Sequence, residues 1–176
     1  IRVAGFFHVV AQKMAFQQGI PLEVADRLTG LLMSSDEGGS FSFADRLGLD
    51  VWLCWLESLH RRLGGDPLRS WWEPPAVLRK LVQEGKLGSK EGQGFFRRAP
   101  AEGQTEVYDP SSGDYRVARN DSVAWNELAH LEPAARLERL LSAPQPYGRY
   151  AWELLAEYLC YAASVVTEIA ERLSDV

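Results

Sequence analysis

The sequence predicts a mainly α-helical domain carrying a small antiparallel β ribbon. Three observations lead there. Apolar residues recur at three- and four-residue spacing through most of the chain. Glycine and proline stand between these runs, where helices stop and start. Strand texture, short aromatic and β-branched runs around turn residues, is confined to residues 94–117.

The first helix is expected over Ile1–Gln18, with Val3, Phe6, Phe7, Val10 and Met14 on its apolar face and Gly19 closing it. Pro21 suits the first position of a short helix, Leu22–Leu28, that Gly30 ends. Ser34–Ser40 reads as a loop, with Ser42 as N-cap of the next helix. Gly48 interrupts that helix. From Asp50 a longer one runs to about Leu63 and closes at Gly64, Gly65 and Pro67. Pro74 and Pro75 open a helix through Leu78, Leu81 and Val82, which Gly85 ends. Phe95-Phe96, Val107-Tyr108 and Tyr115-Arg116-Val117 then supply a two- or three-stranded ribbon around Asp109–Gly113. Helix returns over Asp121–Ala129 and Pro133–Leu141. Pro144 and Pro146 break it, and a long helix follows over Tyr147–Leu173. Tyr150, Leu154, Tyr158, Tyr161, Val165, Ile169 and Leu173 form one stripe, and Trp152, Leu155, Leu159 and Val166 widen it, so this helix is expected to be buried among others. Its passage into Leu173–Val176 echoes the way the first helix leads into Leu22–Asp26, either an internal repeat or a chance likeness of two apolar helices.

A chain of 176 residues buries roughly 70% of its unfolded surface, enough for a real core. With 46% hydrophobic and 24% charged residues, disorder is excluded as the main state. No uncharged apolar run approaches the roughly 18 residues that span a bilayer, so no membrane role is expected. Arg2 precedes only a short apolar stretch ending at Gln12 and Lys13, which is no signal peptide; without an initiator Met, a trimmed start is expected. A net charge of −5 lacks the concentrated basic face that nucleic acid requires. Cys54 and Cys160 read as reduced core thiols of a cytoplasmic protein. His8, His60 and His130 show no metal-ligand spacing, and no Ser–His–Asp or Cys–His arrangement stands out. The tryptophans at 52, 55, 71 and 72 read as packing residues.

Two motifs carry the functional signal. Gly85-Lys86-Leu87-Gly88-Ser89-Lys90-Glu91-Gly92-Gln93-Gly94-Phe95-Phe96 permits tight turns and close backbone approach, and its N–H groups could cradle an anion. It has neither the Walker spacing nor the dinucleotide fingerprint, and a strand follows it, so local physics favours a helix-to-strand turn. In Asp45-Arg46-Leu47-Gly48-Leu49-Asp50, Gly48 breaks the helix, Asp50 is placed to cap the next one, and Asp45 to pair with Arg46 or bond a helix end. Arg61-Arg62, Arg97-Arg98 and Lys90 are cations that could meet a phosphate, and equally ordinary solvated charges.

Together, Asp-x-x-Gly-Leu-Asp at 45–50 and Gly-x-Leu-Gly-x-Lys-x-Gly-x-Gly-Phe-Phe at 85–96 resemble the C-terminal helical domain of 3-hydroxyacyl-CoA dehydrogenases. The resemblance covers residues 1–98 and implies a helical fold like the C-terminal domain of 6-phosphogluconate dehydrogenase. The remainder is similar to the long bacterial form: residues 99–146 as ribbon and helical linker, residues 147–176 as the first helix of a second, truncated repeat. It implies an NAD-dependent parent enzyme of fatty-acid β-oxidation that converts an L-3-hydroxyacyl-CoA to the 3-ketoacyl-CoA. NAD and the catalytic His–Glu pair would belong to a domain absent here, and an enoyl-CoA hydratase domain often accompanies that form. Lys90, Gly92, Gly94, Phe95 and Phe96 are the implied substrate-side residues, and Asp45, Gly48 and Asp50 the structural motif. No catalytic, cofactor-binding or metal residue transfers to this chain, so it is expected to be inactive alone. Where relatives carry a basic, proline-containing loop, residues 35–41 are acidic and glycine-rich, which disfavours a phosphate-rich CoA at that loop. The competing expectation is a non-enzymatic interaction module that dimerises through its first and last helices.

Overall fold

A computed structural model describes residues 2–35, 37–98, 104–119 and 125–169. Helix α1 (Arg2–Gln18) is the central element, enclosed by α2 (Leu22–Leu32), α3 (Ser40–Leu47), the 3-10 turn Arg69–Trp72 and the long α8 (Tyr147–Ile169). Phe6, Val9, Val10, Ala11 and Ala15 of α1 have no exposed surface. Phe6 stacks on Tyr161 of α8, with ring centroids 3.7 Å apart, and tilts against Trp72. Helices α4 (Leu49–Arg62) and α5 (Ala76–Gln83) pack on one another beside the 69–72 turn.

The ribbon is three-stranded: β1 (Phe96–Arg98), β2 (Thr105–Asp109) and β3 (Asp114–Val117), antiparallel in the order β1-β2-β3. Phe96 faces Val107 and Tyr108 faces Tyr115. The β2–β3 turn is held by Asp109, whose carboxylate accepts both the N–H and the hydroxyl of Ser111. Helix α6 is described over Trp125–Leu128, and the expected start at Asp121 lies outside the described residues, as do Leu173 at the other end of the last helix and Asp36 of the expected loop. Helix α7 (Pro133–Leu141) begins with proline at its first turn and packs on α2 and α8.

Several expectations are corrected. Gly30 does not end α2: the helix continues to Leu32, and Met33 closes it by donating its N–H to Thr29 and Leu31 carbonyls. Gly30 serves instead where the chain returns, since a Cβ there would lie 3.1 Å from the Gly38 carbonyl carbon. Ser42 is not the N-cap of α3. That helix starts at Ser40, and its first-turn N–H groups are satisfied from α2: Thr29 Oγ1 accepts from Ser40, and Asp26 Oδ1 accepts from Phe41 and Ser42 at 2.8 Å. Cys54 and Cys160 are both exposed, not core residues. Trp52 and Trp72 are buried, with Trp55 and Trp71 partly buried against the core.

Helix α8 also departs from its expected burial. Tyr150, Leu154, Tyr161 and Val165 are buried, whereas Trp152 and Leu159 are 62% and 61% exposed. Helix α1, expected to offer a self-association face, is buried instead. Its first turn is locked to α8 by a shared acceptor: Asp66 Oδ2 receives Arg2 Nη2 and the Tyr161 hydroxyl, each at 2.7 Å, and Trp72 Nε1 at 3.3 Å.

Candidate functional site

The two sequence motifs, forty residues apart, meet in space. Asp45 lies in the last turns of α3 on its buried side. Its Oδ1 accepts the N–H of Phe95 and its Oδ2 that of Phe96, both at 2.8 Å. Asp45 thus pairs with neither Arg46 nor a helix end, but with the entrance to β1. Gly48 takes φ 98° as α3 passes into α4, a backbone state that a side chain would strain. The next N–H, that of Leu49, donates to the Leu87 carbonyl at 3.1 Å. Asp50 lies in the first turn of α4 but does not cap it; its carboxylate takes Lys90 Nζ at 2.6 and 2.7 Å. The pair is exposed, and Lys90 holds Asp50 below the usual carboxylate range.

The glycines explain why the turn fits so closely. A Cβ on Gly88 would lie 2.3 Å from the Asp45 carbonyl oxygen, and one on Gly94 would lie 2.2 Å from Asp45 Oδ1. Gly92 has φ 70° with open space around it. The turn's N–H groups are used internally: Gly88 donates to Gln93, Glu91 to Gly88, Gly92 to Ser89 and Gly94 to Phe96. With Phe95 and Phe96 donating to Asp45, these amides form no cradle for a phosphate or for the pyrophosphate of NAD.

A cleft of about 950 Å³ opens beside this clasp, between α2–α3 and the ribbon. Asp26, Ser42 and Asp45 line it, with Gly92, Phe96 and Arg98 on the ribbon side. Of the residues singled out in the glycine-rich motif, Gly92 and Phe96 reach this cleft. Phe95 is fully buried against Phe41, Gly94 is buried under Asp45, and Lys90 is engaged with Asp50. The cleft carries both signs of charge. Arg46 bonds the Glu37 carbonyl and stands 3.6 Å from its carboxylate; Arg97 pairs with Glu106 at 2.6 Å and lies over the Tyr115 ring. Burial pushes the Asp45 carboxyl up to about 7, against the pull of its two N–H donors, and the Asp26 charge adds to the rise.

Asp26 was not singled out by the motifs. The signal for it was its place on the buried stripe Leu22–Ala25–Asp26–Thr29 of a helix, where an acidic residue requires donors. A second buried polar group surrounds His8, whose Nδ1 lies 3.1 Å from Ser40 Oγ and whose ring stacks on Phe43 at 4.1 Å. Gln12 joins it, donating to the Ser40 carbonyl and accepting from Trp52 Nε1. Ser40 and Gln12 have no exposed surface, so this group supports packing and offers no nucleophile. Among the described residues no cluster of His, Cys, Asp or Glu could hold a metal ion, and no helix is long and apolar enough to cross a membrane.

A family model described as 3-hydroxyacyl-CoA dehydrogenase, C-terminal domain, matches residues 4–98. A probable 3-hydroxyacyl-CoA dehydrogenase of Bacillus subtilis is 25% identical over 179 residues, which cover 99% of this chain and 22% of the relative. A putative fatty acid oxidation complex trifunctional enzyme of Rickettsia felis is 23% identical, covering 99% of this chain and 24% of the relative. A probable 3-hydroxybutyryl-CoA dehydrogenase of Deinococcus radiodurans is 46% identical over 59 residues, 34% of this chain and 20% of that protein. The chain therefore spans less than a quarter of the length of the first two relatives. No solved structure matches it.

Proposed function

The chain belongs to the family of 3-hydroxyacyl-CoA dehydrogenase C-terminal domains, and from that premise we propose that it is the substrate-side helical portion of an NAD-dependent L-3-hydroxyacyl-CoA dehydrogenase of cytoplasmic fatty-acid β-oxidation. The observation that carries this reading is the clasp: Asp45 on Phe95 and Phe96, and Asp50 on Lys90, bring the two family motifs together along one wall of the cleft. In this role Asp45, Gly48 and Asp50 hold the wall in place. Contact with an acyl-CoA falls to Gly92 and Phe96, while Phe95 and Gly94 support them from beneath and Lys90 stays paired with Asp50.

The parent reaction moves a hydride to the nicotinamide and a proton to a base. Among the described residues His8 is buried on Ser40, the Asp45 carboxylate is taken up by the Phe95 and Phe96 N–H groups, and the N–H groups of Gly88, Glu91, Gly92 and Gly94 are already bonded. The chain's contribution is to bind and orient the acyl-CoA and to pack against the nucleotide-binding region of the parent. The test is titration calorimetry of the purified chain with an acyl-CoA and with NAD, beside a spectrophotometric assay for NADH. Saturable acyl-CoA binding, no NAD binding and no turnover are expected. NADH production by this chain would overturn its assignment as inactive alone, and no acyl-CoA binding at millimolar ligand would overturn the substrate-side role.

A further inference from the structure

We propose that the cleft between α2–α3 and the ribbon is a phosphate site, built from one arginine on each of its three walls: Arg27 of α2, Arg46 of α3 and Arg98 of β1. The proposal rests on the substrate-side reading above and goes further, because it puts the nucleotide end of an acyl-CoA in this cleft and the acyl chain elsewhere. A pocket for a chain of methylenes would be lined mainly by hydrophobic side chains. Among the described residues lining this one, the apolar side chains are Leu31, Phe96, Ala118 and Ala129, and charged and hydroxyl groups make up most of the rest.

The sign of the ligand follows from which charges in the cleft are already engaged. The acids are. Glu23 accepts from both Nη atoms of Arg116, at 2.7 and 3.0 Å, and from the Arg119 N–H. Asp26 accepts from Phe41 and Ser42, and Asp45 from Phe95 and Phe96. Glu37 stands 3.6 Å from Arg46, so the acidic loop carries its own counter-charge and does not repel a phosphate. The three arginines, by contrast, are exposed. Phe96 and Arg98, two residues apart on β1, share one face of the ribbon. Arg97 between them is held by Glu106, whereas the Arg98 guanidinium makes no ion pair or hydrogen bond among the described residues. A planar carboxylate is satisfied by one such fork. Guanidinium groups on three walls suit a tetrahedral group with several charged oxygens, or two such groups linked. With the amides of the glycine-rich turn bonded internally, these side chains are the donors left to meet it.

The experiment is titration calorimetry of the 176-residue chain with inorganic diphosphate, with CoA and with pantetheine, which lacks the phosphates, and thermal melting is the folding control. Diphosphate and CoA are expected to bind and to compete, and pantetheine not to bind at millimolar concentration. Arg98→Ala, which breaks no side-chain bond among the described residues, should weaken both ligands at least about tenfold with unchanged melting. Arg149→Ala removes the same charge from α8, outside the cleft, and should leave binding unchanged. Diphosphate that fails to bind, or that binds Arg98→Ala as tightly as the natural chain, overturns the proposal. So do pantetheine binding as tight as that of CoA and an equal loss in Arg149→Ala, which would mark a response to net charge alone. Acyl-CoA binding that diphosphate does not displace overturns the phosphate site and leaves the substrate-side role standing. Diphosphate bound through Arg98 in a chain that takes no acyl-CoA overturns that role and leaves a site for free phosphates.

Discussion

The carboxylate of Asp45 accepts the backbone N–H of Phe95 at 2.8 Å, across fifty residues of sequence. Its second oxygen does the same for Phe96, so one buried side chain holds the start of the ribbon to α3. Asp26 has the matching role earlier in the chain, holding the start of α3 to α2. The two carboxylates tie α2 to α3 and α3 to β1 through the backbone N–H groups at the starts of α3 and β1.

Removing Asp45 should therefore cost far more than removing the neighbouring ion pair. Asp45→Ala leaves two buried N–H groups without an acceptor and should destabilise the fold by about 2–5 kcal/mol. Lys90→Ala breaks an exposed pair and should cost no more than about 1 kcal/mol, less in salt. Urea denaturation of both variants measures the difference. Equal losses would show that the clasp is held at its surface rather than by Asp45.

The glycines of the same turn should separate by contact, not by backbone angle alone. Gly94→Ala forces a methyl to 2.2 Å from the Asp45 carboxylate and should cost at least about 2 kcal/mol, because the clasp must open. Gly92→Ala meets open space at φ 70° and should cost only the strain of that conformation, about 1–2 kcal/mol. Thermal melting orders the two, and amide hydrogen exchange at Phe95 and Phe96 should accelerate in the first variant only.

His8 contributes to the loss of stability in acid. Burial holds its imidazole down to about 4, with the Arg46 charge pushing the same way. Between about 4 and the ordinary value of 6.5 the unfolded chain binds this proton and the folded chain does not, so stability falls as pH drops through that window. The full loss is about 3 kcal/mol. Asp45 has the opposite sign. Its folded state binds a proton between the ordinary carboxylate value of 3.8 and about 7, so its contribution falls as pH rises through that range and is flat above it. His8→Gln should remove the acid loss and leave the Asp45 slope, visible as stability that declines from about pH 5 to about pH 7. A natural chain and a His8→Gln variant with parallel pH profiles would sink this account.

Much of the fold was legible residue by residue. Gly19, Gly48, Pro75, Pro133 and Pro146 mark ends that depend on local backbone geometry, and they stand where elements stop or start. The ribbon was legible because turn residues at 109–113 separate runs that suit strands. Gly30 misled because its role is to let the 38–39 backbone approach, a contact with a distant segment. Ser42 misled because the acceptor for the first turn of α3 comes from Asp26 on another helix. The motif residues were legible as a set, but which of them face a cleft was not: Phe95 and Phe96 are neighbours, and only their opposite directions along the strand entrance bury one and expose a portion of the other.

Helical periodicity, the punctuation of glycine and proline, and the two motifs are properties of short stretches of chain, and the sequence by itself determined the mainly helical fold with its ribbon and its family. Which polar groups meet depends on contacts between residues far apart in the chain. Tertiary structure alone decided that Asp45 secures the glycine-rich turn, that Asp26 caps α3, and that Arg2, Asp66 and Tyr161 lock α8 to α1. It also decided that one apolar side of α8 is buried and the other is not, since a helix carries its apolar stripes wherever it lies and only its neighbours determine which of them is covered.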